Sequence, residues 1–125
     1  MKTTVGAMTL FVADNERAKA FYAKAFGLEP VFEDDSSAVF KLENTLVNLL
    51  VESAAPELIE PASLGSGTRA QYTIWVDECD ATVEELRARG VDFLNGPQDR
   101  PWGQRTAAFS DPDGHVWEIA QELTT

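Results

Sequence analysis

The residues able to do acid–base or nucleophilic chemistry in this chain are few. There is one histidine, His115, and one cysteine, Cys79. His115 follows an Asp-Gly pair typical of a tight turn, which favours an exposed or helix-side histidine over a base or a metal ligand. Cys79 lies between two acidic residues, and negative charge disfavours the thiolate that a nucleophile needs. The sequence therefore predicts no catalytic histidine or cysteine.

Aromatic side chains are better candidates for a functional surface. A concave aromatic surface with few polar groups is typical of a small-molecule site. Trp102 lies between proline and glycine in a predicted loop, where core packing requires no large ring, although aromatic residues on strands are often ordinary core. Arg105 either guides an anionic group or, the favoured alternative, pairs with an acid. The expected aromatic walls are Phe11, Phe40, Trp75 and Trp102.

Charge narrows the class of partner. Ten Lys and Arg against 21 Asp and Glu give a formal charge of −11, which repels phosphate backbones and anionic lipid and favours a cationic ligand. Acidity of this degree is also a common solubility feature. We expect no nucleic-acid partner and no membrane association.

Length and composition predict one globular domain. The chain has 125 residues, 44% of them hydrophobic and 25% charged, which is ordinary for a folded domain. It has no apolar run of about 18 residues for a membrane helix, and its first residues lack the apolar region of a secretory signal. A single cysteine permits no internal disulfide. We therefore expect a cytoplasmic protein.

The elements that must position these residues occur twice. The segment 7–14 matches 71–78 without a gap, and 42–52 aligns with 112–122. Each copy reads as a strand, a helix ending at Gly27 or Gly90, and further extended segments, which predicts β-α-β-β-β. The predicted helices span 16–26 and 81–89, each followed by an extended segment, 28–32 and 91–94. The predicted single domain covers 1–125, with module one at about 4–52, a linker at about 53–68 and module two at about 69–123.

Strand alternation assigns the faces of the predicted sheet. In the first strand Leu10 and its alternate neighbours are apolar and should pack on the helix, whereas Phe11 should face the other side. In the second copy the same alternation places Gln71 and Trp75 together with Glu118, away from the helix. The candidate site is the face of the predicted sheet that lies away from the helices.

The chain resembles the vicinal oxygen chelate superfamily, the glyoxalase, bleomycin-resistance and dioxygenase group. The resembling motifs are Val12-Ala13-Asp14, Phe26-Gly27-Leu28, Pro101-Trp102-Gly103 and Asp111-Pro112-Asp113-Gly114-His115. The resemblance implies an α+β fold of two paired βαβββ modules, which form a cupped mixed sheet with helices on its outer face. It also implies that the ligand lies in the concave cup and that the protein is a homodimer.

The resemblance also implies where a metal would bind. Metal-dependent members of the family place ligands at positions that correspond to Ala7, Asn48, Gln71 and Glu118. Only Gln71 and Glu118 are credible ligands, because a methyl group cannot coordinate and an amide oxygen is a neutral, weak donor. Two alternatives follow: polar residues that hydrogen-bond solvent or a ligand, or a weak oxygen-ligand site for Mg²⁺ or Mn²⁺. The expected cofactor is none, with a divalent metal as the alternative.

Two functions remain open. The first is non-catalytic binding of a small hydrophobic or aromatic molecule in the cup, similar to sequestration by bleomycin-resistance proteins, and thus a role in antibiotic resistance. The second is a metal-dependent glyoxalase-type lyase or dioxygenase in which Gln71 and Glu118 act. A protein–protein module is a weaker third. The full set of expected ligand-binding residues is Phe11, Phe40, Asn48, Gln71, Trp75, Trp102, Arg105 and Glu118.

Overall fold

A computed structural model describes residues 1–123 of the chain. The chain forms two compact units, residues 1–66 and a second that begins at Gly67. Each unit contains a four-stranded mixed sheet, and the described residues include three α-helices. The predicted α+β class is confirmed. No helix among residues 1–123 combines the length and the apolar character that crossing a membrane requires.

Unit one has the predicted β-α-β-β-β order. Its strands run in the order β1-β4-β3-β2, with β1 parallel to β4 and the other pairs antiparallel. The elements are β1 (Ala7–Val12), α1 (Asn15–Phe26), β2 (Phe32–Glu33), β3 (Ser37–Lys41), β4 (Leu46–Val51), a 3₁₀ turn (Glu52–Ala54) and α2 (Ala55–Ile59). The predicted extended segment 28–32 contributes only the start of β2.

Unit two repeats this order. Its strands lie in the order β5-β8-β7-β6, with β5 parallel to β8. The elements are β5 (Gln71–Trp75), α3 (Cys79–Ala88), β6 (Phe93–Arg100), β7 (Gln104–Ser110) and β8 (Val116–Glu122). The internal repeat seen in the sequence is therefore a structural repeat, because each copy gives the same sheet order.

Helix α1 begins and ends where its sequence requires. The Asp14 carboxylate accepts a hydrogen bond from the Arg17 backbone N–H at 3.0 Å, which satisfies one of the unpaired donors of the first turn. Gly27 ends the helix in the left-handed conformation at φ 65°. The buried residues of α1 include Ala18, Tyr22 and Ala25, which recur at helical intervals and so form one face of the helix.

Helix α3 covers one face of the second sheet. Val83 and Leu86 are buried on its inner side, and Trp117 and Ile119 of β8 are buried on the corresponding face of the sheet. Gly90 follows the helix with φ 92°, so the predicted helical stop is confirmed. The opposite face of this sheet is left to carry the candidate site.

The predicted linker is more structured than its Pro- and Gly-rich composition suggested. The segment 53–68 contains α2, whose Ala55 is fully buried. Pro56 occupies the first turn of this helix, where the missing N–H has no cost. The residues from Glu60 to Ala70 are exposed and have no regular helix or strand, which agrees with the remainder of the prediction.

Candidate functional site

The Glu118 face is the face of the unit-two sheet that carries Gln71, Thr73, Trp75 and Glu118. The parallel pairing of β5 with β8 places Thr73 beside Glu118 and Trp75 beside Ala120. Paired residues in a sheet project to the same side. The register therefore brings Gln71, Trp75 and Glu118 to one side of the sheet, and α3 packs on the other.

Glu118 is held by its neighbour on β5. Its Oε1 accepts a hydrogen bond from the Thr73 hydroxyl at 2.9 Å, and its side chain is half-buried. Gln71 lies one alternate position before Thr73 and is exposed. Thr73 thus orients the Glu118 carboxylate, and the same face carries the Gln71 amide. Polar groups of this kind are suited to orienting a bound molecule.

These side chains do not form a conventional metal centre. In residues 1–123, no three His, Cys, Asp or Glu side chains are grouped so that they could hold one metal ion. Gln71 offers a neutral amide oxygen, and Glu118 offers a carboxylate whose Oε1 is already hydrogen-bonded to Thr73. Three good nitrogen, sulfur or carboxylate ligands are usual for catalytic zinc or non-haem iron. The donor set does not fit such a metal.

A cavity opens at the end of the Glu118 face. It has a volume of about 280 Å³ and is lined by Trp75, Val76, Asp77, Gln121 and Glu122. Trp75 is 60% exposed, an unusual state for the largest apolar side chain. We call this space the Trp75 cavity.

Trp102 lies in the turn between β6 and β7 and is 64% exposed. Its indole N–H donates to Gln104 Oε1 at 3.2 Å, and the Arg100 guanidinium lies 5.9 Å from the ring centroid. Gln104 pairs with Glu122 in the sheet and donates to its carboxylate at 3.0 Å. A chain of contacts therefore connects Trp102 to Glu122, which lines the Trp75 cavity.

Unit one has a more apolar counterpart of this face. Thr9 pairs with Asn48, and Phe11 pairs with Leu50. The Asn48 amide nitrogen donates to the Thr9 hydroxyl at 3.3 Å, and Phe11 is half-buried. Strand alternation placed Phe11 on the face opposite the helix, and the resemblance implied Asn48 as a ligand position. The register of β1 with β4 puts both residues on that face.

The expectation that Phe40 lines the site is wrong. Phe40 is fully buried and lies among the rings of α1, with centroids 6.3 Å from Tyr22 and 6.5 Å from Phe26. Its strand partner is Val47, which is also fully buried. Phe40 therefore belongs to the core on the helix side of the first sheet and is not available to a ligand.

The expectation that Arg105 binds the ligand is also wrong, and the alternative of pairing with an acid is confirmed. Arg105 binds Asp80 of α3 at 2.8 Å and Asp99 of β6 at 2.9 Å. Hydrogen bonds to Asp80 and then to Asp99 raise the pKa of this guanidinium. Because Asp80 belongs to α3, Arg105 lies on the face opposite Glu118 and fastens the helix to the sheet.

Cys79 and His115 have structural positions. Burial raises the pKa of the Cys79 thiol, and the negative charge of Asp80 raises it further, which confirms the predicted direction. The His115 backbone N–H donates to the Asp111 carboxylate at 2.8 Å, and its carbonyl accepts from the Asp111 N–H. His115 thus closes the turn that precedes β8, outside the Glu118 face.

The structure adds residues that sequence reasoning missed. Asp77 and Glu122 line the Trp75 cavity, and Thr73 orients Glu118. A signal for all three was present, because Thr73 and Asp77 are the alternate neighbours of Trp75 and Glu122 follows Glu118 by two alternations. Strand alternation already places Thr73 on the face of Trp75, although none of these three residues was among the expected ligand-binding residues.

The profile of the Glyoxalase/Bleomycin resistance protein/Dioxygenase superfamily matches residues 4–119. The chain belongs to this superfamily. This membership agrees with the repeated β-α-β-β-β units, and the resemblance inferred from the motifs is confirmed.

Similar proteins of this superfamily include both uncharacterised and named members. YraH of Bacillus subtilis is 30% identical over 121 residues, covering 91% of this chain and 94% of that protein. The metallothiol transferase FosB of Lysinibacillus sphaericus is 32% identical over 108 residues, covering 86% of this chain and 74% of FosB.

Solved structures show the same fold. A glyoxalase-related enzyme from Fulvimarina pelagi has a TM-score of 0.84 at 26% identity, covering 97% of this chain and 89% of that one. TnmS3, an antibiotic binding protein from a Streptomyces species, has a TM-score of 0.73 at 28% identity, with 97% of both chains covered. The superfamily thus includes structures named as an enzyme and as a binding protein, and the choice for this chain depends on its own residues.

Proposed function

We propose that this protein binds a small hydrophobic or aromatic molecule without catalysis, as a sequestering protein does. The observation that carries the proposal is the exposed Trp75 indole at a cavity on the Glu118 face. Trp75 and Trp102 supply the aromatic contacts, and Gln71 and Glu118 supply polar groups that orient the ligand. In unit one, Phe11 and Asn48 are proposed as ligand-binding residues of the corresponding face of that unit's own sheet.

An exposed indole favours binding through two terms. Covering apolar surface removes it from water at roughly 25 cal/mol per Å². A ring that stacks on the indole gains a further ~0.5–1.5 kcal/mol. Polar side chains orient a ligand at little cost when ligand binding breaks none of their hydrogen bonds. The Glu118 carboxylate already accepts a hydrogen bond from the Thr73 hydroxyl. These terms together support recognition of a planar molecule.

The similar proteins support this proposal in a limited way. TnmS3 is described as an antibiotic binding protein, and a ligand of that class is what we propose for this chain. We also propose a role in drug resistance, which this comparison supports. We also propose that the protein acts in the cytoplasm. We further propose that it is a homodimer, which sedimentation velocity of the purified protein would test.

A second candidate function is metal-dependent catalysis by a lyase or dioxygenase. It is favoured by one observation, the placement of Gln71 and Glu118 on the same face of neighbouring strands. The FosB relatives are named metallothiol transferases. In this alternative Gln71 and Glu118 would be the ligands of a divalent ion, which would polarise a substrate oxygen. Metal uptake by the protein and by a Glu118→Ala variant separates the two functions.

Substitution of the exposed indoles tests the first proposal. A screen of aromatic drugs by quenching of tryptophan fluorescence would identify a ligand, and equilibrium dialysis would then give Kd for each variant. We expect Trp75→Ala and Trp102→Ala each to weaken binding about tenfold or more, because each removes stacking and apolar burial. Their circular dichroism and Tm should stay close to those of the parent protein, since both side chains are mostly exposed.

The matched control is Phe32→Ala, which removes an exposed aromatic side chain on the short strand β2 of unit one. Its Kd should equal that of the parent protein. Unchanged affinity in both tryptophan variants, or an equal loss in Phe32→Ala, would contradict the proposed site.

A further inference from the structure

We infer that the Trp75 cavity selects the positively charged end of an organic ligand, such as a quaternary ammonium or protonated amine. This inference rests on the proposed binding function and adds its charge specificity. The structure supports it through three features: an exposed aromatic ring, two carboxylates without a basic partner, and a volume that suits an end group.

The aromatic feature is Trp75. Tryptophan is the best side chain for cation–π attraction, because the negative face of its ring attracts a cation within about 6 Å. Its 60% exposure leaves the indole accessible at the cavity. By contrast, the Trp102 ring already has the Arg100 guanidinium at 5.9 Å from its centroid. Of these two exposed indoles, Trp75 is therefore the one that can take a cation from a ligand.

The charged feature is the pair Asp77 and Glu122. Within residues 1–123, no Lys or Arg side chain lies within ion-pair distance of either carboxylate. The Glu122 carboxylate accepts a hydrogen bond from the neutral amide of Gln104, at 3.0 Å. Asp80 and Asp99, in contrast, are both paired with Arg105. The cavity therefore presents two uncompensated negative charges beside an indole.

The N-terminus of α3 is a feature of opposite sign, since helix N-termini attract anions through free N–H groups. Here Gln121 Oε1 accepts the hydrogen bond of the Cys79 N–H at 2.8 Å. Gln121 itself lines the cavity, so the Cys79 N–H is already hydrogen-bonded and is not free to bind an anionic ligand. Asp77 and Glu122 are the two charged residues of the cavity lining, and both are acidic.

The size of the cavity limits what it holds. Its 280 Å³ is slightly below the roughly 300–1,000 Å³ of pockets that enclose drug-sized molecules. It therefore receives one end of such a molecule, and the planar remainder extends over the Glu118 face. A cationic end group attached to an aromatic body matches this arrangement.

The test uses two fluorescent probes that differ by one charge. The first is a dansyl sulfonamide with a 2-(trimethylammonio)ethyl tail, and the second has the neutral 3,3-dimethylbutyl tail of the same shape. Fluorescence anisotropy of the full chain at pH 8 and low salt would give Kd for each probe. We expect the cationic probe to bind at least tenfold more tightly and its affinity to fall with added salt.

The Asp77→Asn/Glu122→Gln double variant should reduce this preference to within about twofold, because it weakens binding of the cationic probe. The matched control is the Asp92→Asn/Glu84→Gln variant, which removes the same net charge at two exposed positions of unit two. It should retain the preference. A preference that persists in the cavity variant, or that the control loses equally, would overturn the inference.

The same titrations separate failure of this inference from failure of the proposed function. If both probes bind equally and Trp75→Ala weakens both, the charge selection is wrong and aromatic binding at Trp75 stands. If neither probe binds and the aromatic-drug screen also gives no ligand, both are overturned.

Discussion

Single side chains decide which chemistry this fold supports in this chain. Ala7 stands where the family resemblance implies a metal ligand, and a methyl group donates no electron pair. Gln71 supplies only a neutral amide, so Glu118 is the one charged donor among the four positions that the resemblance implies for a metal. The Glu118 face has an exposed tryptophan and a cavity. At the residue scale, the donor set is poor for a metal and suitable for an organic ligand.

The assignment of residues to sheet faces from the sequence agrees with the structure where polar and apolar residues alternate, and it fails where they do not. The segment that contains Phe40 is mostly apolar, so alternation alone assigned it to neither face. Its register is set by the hairpin in which the Leu42 N–H donates to the Thr45 carbonyl at 2.9 Å, which pairs Phe40 with Val47. Counting residues across that turn would have placed Phe40 in the core.

The Arg105 error has a related cause. Arg105, Ala107 and Phe109 alternate along β7, and Phe109 is buried in the core. The parity of Phe109 therefore identifies the helix face, and Arg105 shares it. The position of Phe109 therefore agrees with the favoured alternative for Arg105, an ion pair with an acid, which the structure shows with Asp80 and Asp99.

One carboxylate gives a pH dependence of folding. Asp34 accepts hydrogen bonds from the Ser36 N–H, the Ser37 hydroxyl and the Ser37 N–H at 2.9, 3.0 and 2.8 Å. These bonds, the Ser36 N–H first, lower the pKa of Asp34 below its ordinary value of 3.8. A lowered folded-state pKa stabilises the fold above the unfolded pKa, and this stabilisation is lost as pH falls through the folded value.

We therefore expect Asp34→Asn to be less stable than the parent protein at pH 7, and the difference to shrink as pH falls below about 4. Urea unfolding at a series of pH values measures it. The control is Asp35→Asn, an exposed neighbour that should show no such trend. A difference between Asp34→Asn and the parent protein that is the same at pH 3 and pH 7 would refute this role of the carboxylate.

At the scale of elements, the repeat was the most informative feature of the sequence. Matching segments 7–14 and 71–78 contain β1 and β5. Helix α1 ends directly before Gly27, and α3 ends at Ala88, two residues before Gly90. Short elements were harder to predict. Helix α2 has only five residues, too few for a helical period to be recognised in a Pro-rich segment.

Strand β6 was underestimated because of its bulge. The predicted segment 91–94 stops before Gly96, whereas the strand continues to Arg100. The register with β7 shifts between Asn95 and Gln98. Gly96 has φ 81°, and a Cβ there would meet the Thr106 carbonyl oxygen and lie 2.7 Å from Ala107 Cα. A glycine bulge interrupts alternation without ending the strand.

Gly96→Ala should therefore destabilise the protein by about 2–4 kcal/mol, the sum of left-handed strain and a backbone clash. The control Gly103→Ala has a similar φ of 89° with open space around the added Cβ, so it should cost only about 1–2 kcal/mol. Chemical denaturation of both variants measures the difference. Equal losses would show that the close approach to β7 is not significant.

At the scale of the whole molecule, family membership sets the fold and leaves the function open. The superfamily contains metal-dependent and binding proteins on one architecture, so function has to be argued from the site. This chain combines superfamily membership with a formal charge of −11, which attracts cations toward its surface at long range. The Asp77 and Glu122 carboxylates would then bind the cationic group of a ligand within the Trp75 cavity.

The most direct test of binding without a metal is the metal content of the protein. The purified chain and its Glu118→Ala variant would be incubated with Mn²⁺, Ni²⁺, Zn²⁺ and, anaerobically, Fe²⁺, then desalted and measured by mass spectrometry. We expect far less than one metal per chain in both proteins, because the donor set is incomplete. About one metal per chain in the parent protein, lost in Glu118→Ala, would contradict the proposed function and favour the metal-dependent enzyme.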